Sequence, residues 1–328
     1  MMRGLLSKAS SDPQMADLAG ALTRRLEEAI ACFDLAAGDR GGAHLTRRLE
    51  EAIAYFAARA NPYYHTNPVY IGDHTVLALL HGRYPMYLDT RGIDVAPFIM
   101  LFGIWEQHYT TLFTRLIRPG DTVLDIGAHL GVYTLLSAAA TGPTGRVHAF
   151  EPNARFAQLL GKSLASNGFS GYSQIHPVAV GAQAGDTELR FSWEWAGGGH
   201  LAAGPGEETL VAQPCRIVAI DDVFPDPSST VDLIKMDVEG TETFAIRGMV
   251  RLLARSPGVR IMFEFSPEML AGHGSSGAEL ISLFQGFGFR FWTIEQDSSL
   301  TPVPPEALAA KTDGVANILA SRQDPFPA

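Results

Sequence analysis

The sequence predicts an α/β protein: a mainly parallel β-sheet with helices on both faces, behind a helical N-terminal extension. Two observations predict it. From Asp121 onward, short apolar runs alternate with segments of helical periodicity, the pattern of strands joined by helices. Before that, the chain opens on an amphipathic repeat. The expected division is residues 1–80 as the helical extension and 81–328 as the sheet-bearing domain.

The repeat is Leu22–Ala31, which recurs as Leu45–Ala54 at an offset of 23 residues, with Phe33 matched by Phe56. Leu26, Ile30 and Phe33 fall at helical spacing, as do Leu49, Ile53 and Phe56, so each copy has one apolar stripe. Asp39-Arg40-Gly41-Gly42 between them is a turn signal. A helical hairpin that packs as an appendage, or pairs two copies into a homodimer, is expected; two copies are too few for a solenoid. Residues 61–80, broken by Asn61-Pro62 and Asn67-Pro68, read as a loop and a short helix. A short strand is expected at 84–89 and a helix at 105–117, stopped by Pro119-Gly120. Strands follow at 122–126, 146–150, 175–180, 231–236, 260–265, 289–294 and 317–320. The intervening helices are expected at 132–140, 153–166, from the 231–236 strand to 254, and 278–287. Residues 187–193 and 215–220 alternate like antiparallel strands around Gly197-Gly198-Gly199.

Composition bounds the function. The chain has 328 residues, of which 46% are hydrophobic, enough for a large core. Its net charge of −10 gives little attraction to phosphate, so nucleic acid is not an expected partner. Two cysteines, Cys32 and Cys215, make neither a disulfide framework nor a four-cysteine metal site, and no metal is expected. Residues 1–11 lack the apolar run of a signal peptide, and the longest apolar stretch, near 95–105, is far short of the roughly 20 residues that span a bilayer. A cytoplasmic protein without a membrane partner is expected.

In a parallel sheet, ligands bind beyond the carboxyl ends of the strands, and four such ends carry chemistry. The first is Asp125-Ile126-Gly127-Ala128-His129-Leu130-Gly131: Gly127 allows a tight turn and Gly131 a close helix. It lacks the second glycine of the dinucleotide fingerprint, and taken alone it is equally a packing joint. The second, Phe150-Glu151-Pro152, puts an acid where it can accept ribose hydroxyls, or where it merely favours a helix N-terminus. The third is Lys235-Met236-Asp237-Val238-Glu239-Gly240-Thr241-Glu242. Capping accounts for Glu239 and Glu242 but less well for Asp237. The fourth is Glu264, an acid inside an apolar strand, costly unless it serves a pocket.

These four pieces, in this order and spacing, resemble the FkbM family of S-adenosylmethionine-dependent methyltransferases. The likeness runs from Gly103-Ile104-Trp105-Glu106 to about Ile294. It implies the class I methyltransferase (Rossmann-like) sheet of seven strands, the last antiparallel, and S-adenosylmethionine as cofactor. Residue by residue, it implies that Asp125, Gly127 and Gly131 line the methionine end, and that Ala128, His129 and Tyr133 also bind the cofactor. Glu151 binds the ribose, with Pro152 and Asn153 shaping the adenosine side, and Val178 or Ala179 flanks the adenine. Asp237 faces the methionine moiety or the acceptor, and Glu106 and Tyr109 close over the cofactor. The family more often has Asn where this chain has His129.

Methyl transfer from a sulfonium needs acceptor, methyl and sulfur in line, and a hydroxyl acceptor needs a base. Asp237, His129, Glu264 and His200, which follows the glycine loop, are the candidate bases. The expected reaction is O-methylation of a small molecule or sugar. The alternatives are N- or carboxyl-methylation on the same fold, a nicotinamide oxidoreductase, which the missing glycine and Asp125 disfavour, and a noncatalytic nucleoside- or partner-binding module.

Overall fold

The computed structural model describes residues 66–193, 200–201 and 211–326. The 23-residue repeat, Cys32 and the glycine loop lie outside them. The chain divides into two compact units, with the break at Trp105/Glu106 and Trp193 belonging to the first.

In the first unit, β1 (Val69–Gly72), β2 (Thr75–Leu80) and β3 (Tyr84–Asp89) form an antiparallel meander, followed by helix α1 (Val95–Phe102). Residues 69–80 are therefore strands, not the loop and short helix read from the sequence. The β1–β2 turn explains the difference. Asp73 and His74 take φ of +48° and +49° opposite the Gly72–Thr75 pair, the arrangement of a two-residue type I′ hairpin without its usual Asn-Gly signal. The β2–β3 hairpin bridges residue 80, where the sequence suggests a domain junction. Helix α1 uses the apolar run at 95–105 as core, with Ile99 and Phe102 fully buried, and ends at Gly103 in left-handed conformation.

The second unit opens with α2 (Gln107–Leu116), β4 (Thr122–Ile126), α3 (Val132–Thr141), β5 (Arg146–Phe150), α4 (Ala154–Ser166) and β6 (Ser173–His176). Short strands β7 (Ala179–Val180), β8 (Gly185–Phe191), β9 (His200–Leu201) and β10 (Val211–Val218) follow, then helix α5 (Ile220–Val223). The chain continues as β11 (Leu233–Met236), α6 (Glu242–Arg247), α7 (Val250–Arg255), β12 (Arg260–Phe265), α8 (Pro267–Gly272), α9 (Gly277–Gly286), β13 (Arg290–Ile294), β14 (Leu300–Val303), α10 (Pro305–Ala309) and β15 (Ala316–Ser321).

The main sheet has the order β14-β13-β15-β12-β11-β4-β5-β6. Strands β12, β11, β4, β5 and β6 pair parallel, and β15 runs antiparallel between β12 and β13. This is the class I methyltransferase order, with β14 added as an eighth, antiparallel edge strand. Strand order reverses between β4 and β11: the chain runs outward from β4 to β6 and returns on the other side at β11. Ligands bind at such a switch point.

The core is sealed by Phe263, Phe265, Phe284 and Phe291, each almost wholly buried, with Ile126, Ile234 and Ile261. Two segments divide where the sequence suggests one element. The strand expected at 175–180 separates into β6 in the main sheet and β7, which pairs with β10 in a small sheet of order β7-β10-β8-β9. The helix expected to reach 254 breaks at Gly248, where a Cβ would lie 2.0 Å from the Gly181 carbonyl.

The break exposes the first N–H groups of α7, and buried Asp221 caps them: its two carboxylate oxygens accept from Arg251 N and Leu252 N, both at 2.8 Å. Asp221→Ala should lower unfolding free energy by about 1–2 kcal/mol, the usual cost of a lost cap. Urea denaturation would show a lower midpoint with an unchanged slope.

Candidate active site

Four strand ends lie in one row. The register pairs Phe150 with Ile126, Ile126 with Met236, and Met236 with Phe263. The next residue on each strand is Glu151, Gly127, Asp237 and Glu264. The four motifs that the sequence holds far apart therefore meet along one edge, across the switch point.

The β4 turn packs directly on its neighbour. A Cβ on Gly127 would sit 1.8 Å from the Asp237 carbonyl, and Gly127 has φ of +80°. Gly127 and Ala128 both donate their N–H to the Phe150 carbonyl, at 3.0 Å each. Gly131, at φ of +93°, leaves room for Leu160 of α4, which a Cβ would meet at 2.2 Å. Asp125 is fully buried; Oδ2 accepts from the Thr134 hydroxyl at 2.5 Å, while Oδ1 has no hydrogen-bond partner. Burial raises its pKa, against the pull of Lys235.

Glu151 is 5% exposed, and the main chain holds it. Its Oε2 accepts from His129 N at 2.6 Å and its Oε1 from Asn153 N at 2.7 Å. Burial nevertheless pushes its carboxyl up to about 7. Asn153 caps α4, accepting from Arg155 N and Phe156 N, and the Pro152 carbonyl accepts from Gln213 Nε2 on β10 at 2.9 Å. His129 has φ of +52°, and its ring stands edge-on to Phe156 of α4. Its backbone N–H, available from any residue that tolerates this conformation, makes the bond to Glu151.

Lys235 is the functional residue that sequence reasoning passed over. It is 4% exposed, on β11 in register with Asp125. Its Nζ donates to the Gly127 carbonyl at 3.2 Å and to Asp237 Oδ2 at 3.3 Å, and lies 5.0 Å from the centre of the Tyr133 ring. Burial alone would lower its pKa, but the charges of Asp237, Asp125 and Glu106 outweigh burial and raise it. The signal was present in the sequence: a lysine inside an apolar strand is as costly as the acid at 264.

Glu106 approaches from the start of α2, at φ of +39°, and its Oε2 accepts from the Tyr133 hydroxyl at 2.6 Å. The Tyr109 ring stands edge-on to Tyr133. Burial and the Glu106 charge push both phenols well above their ordinary range. Beyond Asp237, Glu239 takes φ of +53°, and Glu242 Oε1 accepts from Val238 N and Gly240 N, both at 3.3 Å. Burial and neighbouring carboxylates push Glu239 up to about 8 and both Glu242 and Glu264 up to about 7.

The remaining expected residues are more distant in role. Val178 packs on the main core. Ala179 reaches this corner through Cys215, whose thiol hydrogen-bonds the Ala179 main chain and feels the Glu151 charge. His200 lies on β9, opposite Arg190 in the small sheet. In the first unit, the Trp193 ring packs under the Arg91 guanidinium, 3.3 Å from its centre. Among the described residues, no group of three or more His, Cys, Asp or Glu side chains is arranged to hold a metal ion, and no helix is long and apolar enough to cross a membrane.

A methyltransferase FkbM domain model matches residues 125–291, which is half of the chain. The chain belongs to the FkbM methyltransferase family. No curated protein matches it. Among solved structures, it is similar to an S-adenosylmethionine-dependent O-methyltransferase of Thermotoga maritima, with 13% identity over 79% of this chain and 87% of that one, at a TM-score of 0.36. It is also similar to Pyrococcus horikoshii TYW2 in complex with MeSAdo, with 13% identity over 84% and 83% and a TM-score of 0.39. A precorrin-6y C5,15-methyltransferase of Geobacter metallireducens shows 13% identity over 66% and 88%, at 0.36. The family assignment rests on the domain match.

The cofactor of this FkbM protein is S-adenosylmethionine, and the residues fit it. Asp125 Oδ1 is a buried acceptor without a partner. The Gly127 turn brings bare backbone to the site, and Glu151 is an acceptor fixed by two main-chain N–H groups. The carboxyl row suits a ligand with cationic amino and sulfonium groups. When bound, the cofactor supplies an activated methyl group.

Two outcomes follow. Glu151→Ala should weaken S-adenosylmethionine binding at least about tenfold in calorimetric titration, the scale of a lost charge-assisted hydrogen bond. The second concerns pH. Glu151, Glu239, Glu242 and Glu264 titrate at about 7–8 when folded, against 4.5 ordinarily. Between those values the folded state holds more protons than the unfolded one, so unfolding free energy falls as pH rises. His148, lowered to about 4 by burial, acts in the opposite direction, but most of its contribution lies below pH 6.5 and it ends by about pH 7.5. The ligand-free protein should therefore melt at least about 3 °C lower at pH 8.5 than at pH 6.5; a flat or rising Tm would contradict the carboxyl assignments.

Proposed function

We propose that this protein transfers the methyl group of S-adenosylmethionine to a hydroxyl oxygen on a small molecule or sugar, with Glu264 as the general base. The observation that carries this reading is the state of Glu264. It stands level with Asp237 on the neighbouring strand, is half-buried, accepts no hydrogen bond from any described residue, and is pushed up to about 7 by burial first and then by Asp237 and Glu106. A hydroxyl attacking an activated methyl group must lose its proton, and a base working near neutrality does this best when its own pKa is near neutrality. Asp237 is a weaker candidate, because Lys235 already occupies it. His129 has its ring against Phe156. A carboxylate acceptor, already ionised, would have no need of such a base.

Within this reading Asp125 and Glu151 hold the two ends of the cofactor, and Glu106 and Tyr133 form a hydrogen-bonded wall beside its methionine end. The acidic surroundings, in a chain of net charge −10, suit a neutral or cationic acceptor rather than nucleic acid. The test is a screen of hydroxylated small molecules and sugars with methyl-labelled S-adenosylmethionine. On the acceptor found, Glu264→Gln should reduce kcat at pH 7.5 by about a hundredfold or more. Wild-type kcat/KM for S-adenosylmethionine should rise through a limb near pH 7 as the carboxyl of the cofactor-free enzyme ionises, a limb absent in the variant. Wild-type kinetics in the Glu264→Gln protein would assign the base elsewhere.

A further inference from the structure

The carboxyl row holds more negative charge than its own cation can balance. Among the described residues, Lys235 is the one Lys or Arg bonded to this group, and it is committed to Asp237 and the Gly127 carbonyl. Around that pair stand Asp125 from β4, Glu106 from α2, Glu264 from β12 and Glu242 from α6, together with the buried phenols of Tyr109 and Tyr133. Glu239 completes the group. Unlike Glu242, its side chain caps no N–H, and unlike Asp237 it pairs with no cation; among the described residues neither the Glu239 nor the Glu264 carboxyl makes a hydrogen bond or salt bridge. Glu239 is also held in left-handed backbone conformation at φ of +53°, a position normally given to Gly or Asn. Asp125 Oδ1, buried and without a partner, is the independent sign that a cation donor belongs on this face.

Two carboxyls left unpaired beside a charged neighbour ionise reluctantly until a positive charge arrives. We propose that Glu239 and Glu264 form a proton-accepting pair that the cofactor's positive charge switches on, so that Glu239 is a second acid–base residue of the methyl transfer. Without a cation in the site, the pair holds a proton. With a sulfonium in the site, the pair gives that proton to solvent and stands ready as base. In the transfer the acceptor O–H bond breaks and its proton passes to the pair. The new C–O bond forms as the S–CH3 bond breaks, and the electron pair of that bond stays on sulfur, which becomes neutral. The loss of positive charge stabilises the newly protonated pair, so the same event that consumes the methyl group resets the base. Burial first, and then the charges of neighbouring carboxylates, push Glu239 up to about 8 and Glu264 up to about 7, in agreement with this cycle.

This rests on the methyltransferase reading of the site, and the test separates the two. Titration calorimetry of the full chain with S-adenosylmethionine and with S-adenosylhomocysteine, in buffers of different ionisation enthalpy, counts the protons exchanged on binding without any acceptor. The sulfonium compound should release about one more proton than the neutral thioether at pH 7. The excess should fall towards zero by pH 9.5, where the pair is already ionised. In Glu239→Gln and Glu264→Gln the excess at pH 7 should drop by half or more. In the wild type, the affinity ratio of S-adenosylmethionine to S-adenosylhomocysteine should rise about tenfold between pH 6 and 8. Binding of both compounds with equal proton counts overturns the pair and leaves the methyltransferase reading standing; binding of neither overturns both. Because the comparison of the two compounds uses wild-type protein, a variant that fails to fold does not remove the test.

Discussion

The contact between the Gly127 turn and the Asp237 carbonyl governs the site. Two parallel strands at a switch point diverge at their carboxyl ends, and the crevice between them is usually where ligands enter. Here the two turns close to backbone contact, tight enough that a single methyl on Gly127 would overlap the Asp237 carbonyl. Lys235 fastens them from below by donating to one turn and pairing with the side chain of the other. The crevice is thereby set in shape before any ligand arrives, with Glu151 at one end of the row and Glu264 at the other.

That fastening has an electrostatic consequence. A buried lysine is costly without anionic partners, and carboxylates crowded together are costly without a cation. The structure meets both costs only in part: among the described residues one ammonium stands among six acids, and burial and neighbouring charge push several of those acids up towards neutrality. The site is thus under-compensated in positive charge. Catalytic sites commonly concentrate such perturbed groups.

Backbone strain gathers at the same end of the sheet. Glu106, His129 and Glu239 are three non-glycine residues at positive φ, each next to a strand end or at the helix that faces it. Such conformations persist where the surroundings over-determine them. For His129 the gain is visible: the left-handed turn aims its N–H at Glu151. This accounts for the departure from the Asn seen more often in the family, because the position requires a backbone geometry rather than a particular side chain.

The fold was legible because its signals are local. Strands at 122–126, 146–150 and 260–265 are bounded as their apolar runs suggest, since a strand buried on both faces has no choice of residue type. Asp125, Gly127, Glu151, Asp237 and Glu264 were legible as strand-end residues for the same reason. Elements set by a single tight contact were not. The Asp73-His74 hairpin, the division of 175–180 between two sheets and the break at Gly248 each depend on a backbone conformation or a partner distant in sequence. The same holds inside the site. Sequence determined which charged residues stand at the strand ends. Only the tertiary structure decided that Lys235 pairs with Asp237 and reaches the Gly127 carbonyl, that the His129 N–H meets Glu151, and that the Glu239 and Glu264 carboxyls have no partner among the described residues. Such contacts depend on register and burial across strands as much as 108 residues apart, as for Lys235 and Gly127, and one chain read in order holds no record of either.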